Sequence, residues 1–285
     1  MRLEIVDVFA DTPLAGNQLA VVRDAGSLAS ERMQDIAREM NFSETTFVLS
    51  EHADRAQVRI FTPTNELPFA GHPTLGTAWV LGRDRADFTL ELPVGPVEVT
   101  FDAPESANDC GNAAGICWMS PPQPTFAGQV APAVVAELVG LPAAQLHGDY
   151  PPTLVSIGPD FLLVGVVNET ALSKATFNLE LRAGIESEGI SANSLFIFCP
   201  GSATDYSARM LFDVNGLRED PATGSANSGF AVYLRDHCGV APGRYLVAQG
   251  DQMGRPSRIY LDLKQDTYRV GGRVQGVVVG ELDPG

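Results

Sequence analysis

The sequence predicts an α+β protein of two pseudo-symmetric domains, each a barrel-like β-sheet wrapped around one central α-helix. Three features carry that expectation. A motif recurs about halfway along the chain, strand-like runs dominate both halves, and a strongly apolar helical stretch follows each copy of the motif.

The first copy is Leu67-Pro-Phe-Ala-Gly-His-Pro-Thr-Leu-Gly-Thr-Ala78 and the second is Leu217-Arg-Glu-Asp-Pro-Ala-Thr-Gly-Ser-Ala226. From His72 and Asp220, 148 residues apart, both follow X-Pro-x-x-Gly-(Ser or Thr)-Ala. Other anchors keep nearly that offset. Phe47-Val-Leu49 matches Phe196-Ile-Phe198 at 149, Arg59-Ile-Phe61 matches Arg209-Met-Leu211 at 150, and Ile36 and Ile185 are 149 apart in comparable helical stretches. A period of this length means a doubled domain and not a solenoid.

In chain order, runs rich in Val, Ile, Phe and Thr, bounded by Gly, Pro, Asp and Asn, predict strands near 3–10, 18–23, 45–50, 57–62, 87–92, 96–102 and 115–120. The second half has them near 153–157, 161–167, 194–199, 206–212, 244–249, 257–263 and 274–280. Pro121-Pro-Gln-Pro124 cannot continue a sheet ladder and predicts a boundary. The expected domains are 1–120 plus about 268–285, with the last strand returning to the N-terminal domain, and 121–267. Met33, Ile36, Ala37 and Met40 predict a helix over 30–40, and Val134, Val135, Leu138 and Val139 one over 131–139. The repeat helices, expected over 73–81 and 221–234, each open on a proline. The first carries no charge. A helix apolar nearly all round must be buried on every side, and a surrounding sheet does that.

Composition narrows the function. The 285 residues are 45% hydrophobic, with a net charge of −16. That balance argues against nucleic acid and anionic membranes as partners, because phosphate recognition needs clustered cations. The first residues read as a strand and not a targeting peptide, and the longest apolar runs are far shorter than the roughly 18 residues of a membrane span. A cytoplasmic protein is the expectation. Cys110, Cys117, Cys199 and Cys238 form no CxxC pair and complete no zinc spacing with the four histidines. Cys110, before Gly111-Asn112, is read as a loop thiol rather than a catalytic one.

Ala15-Gly-Asn-Gln18, Asn41-Phe-Ser-Glu-Thr-Thr-Phe47, Arg59-Ile-Phe-Thr-Pro63, Glu66-Leu-Pro-Phe-Ala-Gly-His-Pro73 and Glu219-Asp-Pro-Ala-Thr-Gly-Ser-Ala226 stand in the order and spacing of the PhzF-like phenazine-biosynthesis family. The chain resembles that family end to end. The resemblance implies the diaminopimelate epimerase fold, with an active site in the cleft between two similar domains. Epimerase relatives carry a cysteine at each helix opening, where this chain has His72 and Asp220. The paired-thiol mechanism is therefore not open to it.

The resemblance implies that Glu44 carries the proton and that His72 and Asp220 position and polarise the substrate. One carboxylate can remove and return a proton when water is excluded. Main-chain N–H groups near Gly71, Gly224 and Ser225 could hold a substrate carboxylate at a helix start, with Asn17 adding an amide contact. No metal, nucleotide or flavin is expected, since the sequence offers no tight His, Cys and carboxylate cluster beyond His72 and Asp220, and the phosphate-loop and dinucleotide glycine patterns are absent. The expected partner is a small-molecule carboxylate, and a homodimer is a compatible assembly. The expected function is an isomerase shifting a proton and a double bond, the phenazine precursor dihydro-hydroxyanthranilate being one candidate substrate. An epimerase or racemase of an amino-acid-like compound, or a non-catalytic binding protein on the same fold, remains open. So does a plain capping role for His72 and Asp220.

Overall fold

The computed structural model describes residues 1–102, 115–186, 193–213 and 217–284. Cys110 lies outside them. The chain divides into two compact units, Met1–Pro121 with Arg269–Gly285, and Pro122–Tyr268.

The first unit holds strands β1 (Arg2–Val8), β2 (Asn17–Val22), β3 (Glu44–Glu51), β4 (Arg55–Phe61), β5 (Glu66–Leu67), β6 (Asp87–Leu92), β7 (Gly95–Phe101) and β8 (Cys117–Met119). Its helices are α1 (Ser30–Met40) and α2 (Gly71–Gly82). The second unit holds β9 (Thr125–Gln129), β10 (Thr153–Ser156), β11 (Asp160–Gly165), β12 (Ser194–Pro200), β13 (Tyr206–Asp213), β14 (Leu217–Asp220), β15 (Gly243–Gln249) and β16 (Ser257–Leu263). Its helices are α3 (Pro132–Leu138), α4 (Glu169–Lys174), α5 (Leu179–Glu186) and α6 (Gly224–Asp236). Strand β17 (Tyr268–Gly272) pairs through Val270–Gly272 with β8, and β18 (Val274–Glu281) pairs antiparallel with β1.

The two units repeat one succession of pairings. In the first, β18–β1 and β1–β2 are antiparallel, β2–β3 parallel, β3–β4 antiparallel, β4–β6 parallel and β6–β7 antiparallel. In the second, β9–β10, β10–β11, β11–β12, β12–β13, β13–β15 and β15–β16 follow the same pattern. The register slip in β1 at Ile5/Val6 even has a counterpart in β10 at Leu154/Val155. Parallel neighbours need a long crossover. Helix α1 supplies it between β2 and β3, α4 and α5 between β11 and β12, and the repeat helices the other two.

Helix α1 spans the expected residues because its pattern and its stop agree. Met33, Ile36 and Ala37 face a cluster with Val22, Phe47 and Phe61. Asn41 closes the helix in the left-handed region at φ 53°, its N–H bonding the Ala37 carbonyl. Helix α2 is buried along nearly its whole length and touches β1, β2, β3, β6, β7, β8 and β18, so the sheet encloses it. Close approach requires Gly76, where a Cβ would stand 2.6 Å from Leu19 and 2.8 Å from Val8. Helix α6 packs Phe230 against Phe196, Phe198 and Tyr206, and Gly229 against Val155.

Both repeat helices open differently from the expectation. Pro73 is the third residue of α2, not the first, and Pro221 lies three residues before α6 begins. Proline fits anywhere in a first turn because those N–H groups have no intrahelical partner, so it marks the opening only loosely. The short elements α4, β5, β9, β14 and β17 lie outside the expected ones, while α5 covers the helical stretch expected around Ile185. Among the described residues, no helix is long and apolar enough to cross a membrane.

Candidate active site

Glu44 is the first residue of β3 and His72 the second of α2. Thr46 Oγ1 and Thr77 Oγ1, 2.8 Å apart, bind β3 to α2 and fix the distance between them. His72 Nε2 then lies 3.4 Å from Glu44 Oε2, with the histidine side chain 5% and the carboxylate 16% exposed. On the other side of the ring, His72 Nδ1 is 3.3 Å from the Asn17 amide nitrogen. Asn17 starts β2 directly after Gly16, which takes the left-handed turn at φ 66°. A Cβ on Gly16 would stand 2.3 Å from the Val8 carbonyl oxygen. The turn geometry thus belongs to Gly16, leaving Asn17 to contact the ring.

His72 is not a helix cap. Ala70 holds that position and makes no side-chain cap bond. Burial pushes the His72 imidazole down to about 3, opposed in part by a hydrogen bond with the Gln18 main chain. The Glu44–His72 distance is that of an ion pair, but a neutral ring makes it a polar contact. Nε2 has no aligned hydrogen bond among the described residues, which is unusual for a buried nitrogen and suits a group that engages a ligand.

A pH prediction follows from that ring. The unfolded chain takes up the histidine proton near 6.5, the folded one only near 3. Between those values the unfolded state binds more protons, so folded stability is present above 6.5 and declines as pH falls through the window. From pH 7 to 5 this group should remove roughly 2 kcal/mol of stability. The melting temperature of His72→Gln should therefore fall less over that interval than that of the wild type. Parallel curves would contradict the buried neutral ring.

In the second unit, Asp220 ends β14, paired with Met210 of β13. The preceding residue, Glu219, takes a two-pronged contact from Arg209 at 3.0 and 2.8 Å. Arg59 and Glu66 repeat that fork in the first unit at 2.7 and 2.6 Å. Asp220 Oδ2 accepts from Thr223 Oγ1 at 2.6 Å. Gly224 opens α6, followed by buried Ser225, as Gly71 opens α2. The structure thus groups Asn17, Glu44, Gly71 and His72 in one unit, and Asp220, Gly224 and Ser225 in the other. Sequence reasoning missed Thr46, Thr77, Thr223 and Gln249. A polar residue whose partner is distant in the chain gives no local signal, in a strand, a helix or a turn alike.

The remaining chemistry is quiet. Burial pushes the Cys117 and Cys199 thiols up, Cys199 to about 12, so neither is poised as a nucleophile. No group of three or more His, Cys, Asp or Glu among the described residues is arranged to hold a metal.

The family model described as phenazine biosynthesis-like protein matches residues 6–281. The chain belongs to the PhzF family. It is similar to the trans-2,3-dihydro-3-hydroxyanthranilate isomerase of Pseudomonas aeruginosa, at 37% identity over 91% of this chain and 89% of the relative. Among solved structures it resembles a PhzF family phenazine biosynthesis protein of Bacillus anthracis. That match has a TM-score of 0.84 and 25% identity, over 99% of this chain and 98% of the other. A protein of Pseudomonas aeruginosa described as a predicted epimerase matches with TM-score 0.82 and 33% identity, over 99% and 98%. The PhzF assignment makes this chain an isomerase and matches the fold class expected from the sequence.

Proposed function

We propose that this PhzF-type isomerase moves a proton, and with it a double bond, within a small carboxylate-bearing ring. The candidate substrate is trans-2,3-dihydro-3-hydroxyanthranilate, on which the Pseudomonas aeruginosa relative is named. The observation that carries the reading is the sheltered Glu44 carboxylate 3.4 Å from a neutral, buried imidazole. Glu44 removes the proton and returns it at another carbon, and His72 orients the carboxyl group and the substrate. Asp220 is assigned to polarise the substrate. We assign the N–H groups of Gly71, Gly224 and Ser225 to substrate binding, and Asn17 steadies the His72 ring. No cofactor enters these steps. The equivalent position in the second half, 149 residues on, holds Asn193 and not an acid, in keeping with a single proton carrier.

The enzyme acts in the cytoplasm on a small molecule. A homodimer is the assembly we favour, since Val277, Val278 and Val279 of β18 are exposed. Incubation with dihydro-hydroxyanthranilate, followed by proton NMR, tests the activity. A ring isomer with a displaced double bond is expected within minutes. Unchanged substrate at equimolar enzyme would overturn the assignment.

A further inference from the structure

The two copies of the repeated motif fold differently at one point. In the first unit the motif from His72 onward is helical throughout, within α2. In the second, Asp220-Pro-Ala-Thr223 stays outside the helix, and α6 starts only at Gly224. Something must satisfy the main-chain groups that a helical turn would have engaged. Gln249, the last residue of β15 and 1% exposed, does so. Its Nε2 donates to the Asp220 carbonyl at 2.9 Å and to Thr223 Oγ1 at 3.0 Å. Its Oε1 accepts from the Thr223 N–H at 3.3 Å and from Asn227 Nδ2 at 3.2 Å. Thr223 Oγ1, so held, donates to Asp220 Oδ2 at 2.6 Å. The next residue, Gly250, runs so close that a Cβ would stand 2.6 Å from the Pro221 carbonyl oxygen.

We propose that Gln249 is a positioning residue: it holds the turn before α6 unwound and, through Thr223, sets the rotamer in which Asp220 meets the substrate. This rests on the functional reading of Asp220 given above. In the first unit β6 ends at the corresponding place in Leu92, which has no amide to offer, and there the turn is helical. The asymmetry between the halves thus has a chemical cause in one side chain.

Gln249→Met keeps the length and removes both polar atoms; Gln249→Glu keeps the acceptor and removes the donor. Hydrogen exchange needs no substrate and reads the turn directly. Amides of Thr223 to Ser225 should exchange about tenfold faster in Gln249→Met, while strands of the first unit stay unchanged. Kinetics then read the coupling. Gln249→Met should lower kcat/KM by about ten- to a hundredfold, and combined with Asp220→Ala should be no worse than Asp220→Ala alone, as residues acting through one another are not additive. Gln249→Glu should be impaired too, since it loses the bonds to Asp220 and to Thr223 Oγ1. If Gln249→Met does not fold, Gln249→Glu carries both measurements. Unchanged exchange at Thr223 to Ser225, or fold losses that multiply in the double variant, would overturn the proposal. If the wild type fails to turn over dihydro-hydroxyanthranilate, the functional reading falls and hydrogen exchange alone decides whether Gln249 holds the turn.

Discussion

Glu44→Gln is expected to lower turnover by about 10⁴-fold or more, the top of the range for general acid–base catalysis, because the proposed reaction passes its proton through Glu44 alone. The amide keeps the shape of the carboxyl group and its place at the head of β3, so the fold and the His72 contact surface persist. Affinity should change by no more than about threefold, a pattern that marks loss of an interaction made only in the transition state. His72→Asn and Asp220→Asn should behave differently, weakening both kcat and KM, because both are assigned to orient the substrate as well as polarise it. Steady-state kinetics on the three variants check this. A Glu44→Gln enzyme retaining about a tenth of wild-type kcat would remove Glu44 from the chemistry.

Phe230→Ala should be the most destabilising single change in the second unit, at about 3–5 kcal/mol. Phe230 is fully buried on α6, its ring centroid 4.3 Å from that of Phe198, 5.3 Å from Phe196 and 5.2 Å from Tyr206. The enclosing strands leave little room to collapse, so truncation removes contacts on several sides and leaves a cavity. Domains of ordinary size are stable by only about 5–15 kcal/mol, so the effect is large in proportion. Chemical denaturation should show an earlier midpoint, and a loss below about 1 kcal/mol would mean that the α6 environment is looser than the structure shows.

Much of the fold was legible because local pattern and tertiary demand coincide. Helix α1 has its apolar residues at helical spacing and a left-handed asparagine at its end, and its limits match the expectation. The charge-free sequence of α2 announced its enclosure. What stayed hidden depends on distant partners or short lengths. Helix α4, six residues capped by the Asn168 side chain, is too short to show a period. The unwound turn before α6 is set by Gln249, which is 29 residues from Asp220 and 26 from Thr223, and the motif alone gave no hint of it. Glu44 and His72, singled out from the sequence, lie 3.4 Å apart in the first unit. The neutral state of His72 comes mainly from burial, which depends on packing across the whole unit.

One carboxylate that both removes and returns a proton leaves a stereochemical trace. Turnover in heavy water, with the product resolved by NMR, reads it directly. Glu44 acting alone predicts a displaced double bond, with the hydrogen or exchanged deuteron delivered to the same ring face from which it was taken. Inversion with deuterium at an unmoved stereocentre, the unsaturation left in place, would instead show two bases on opposite faces and an epimerase.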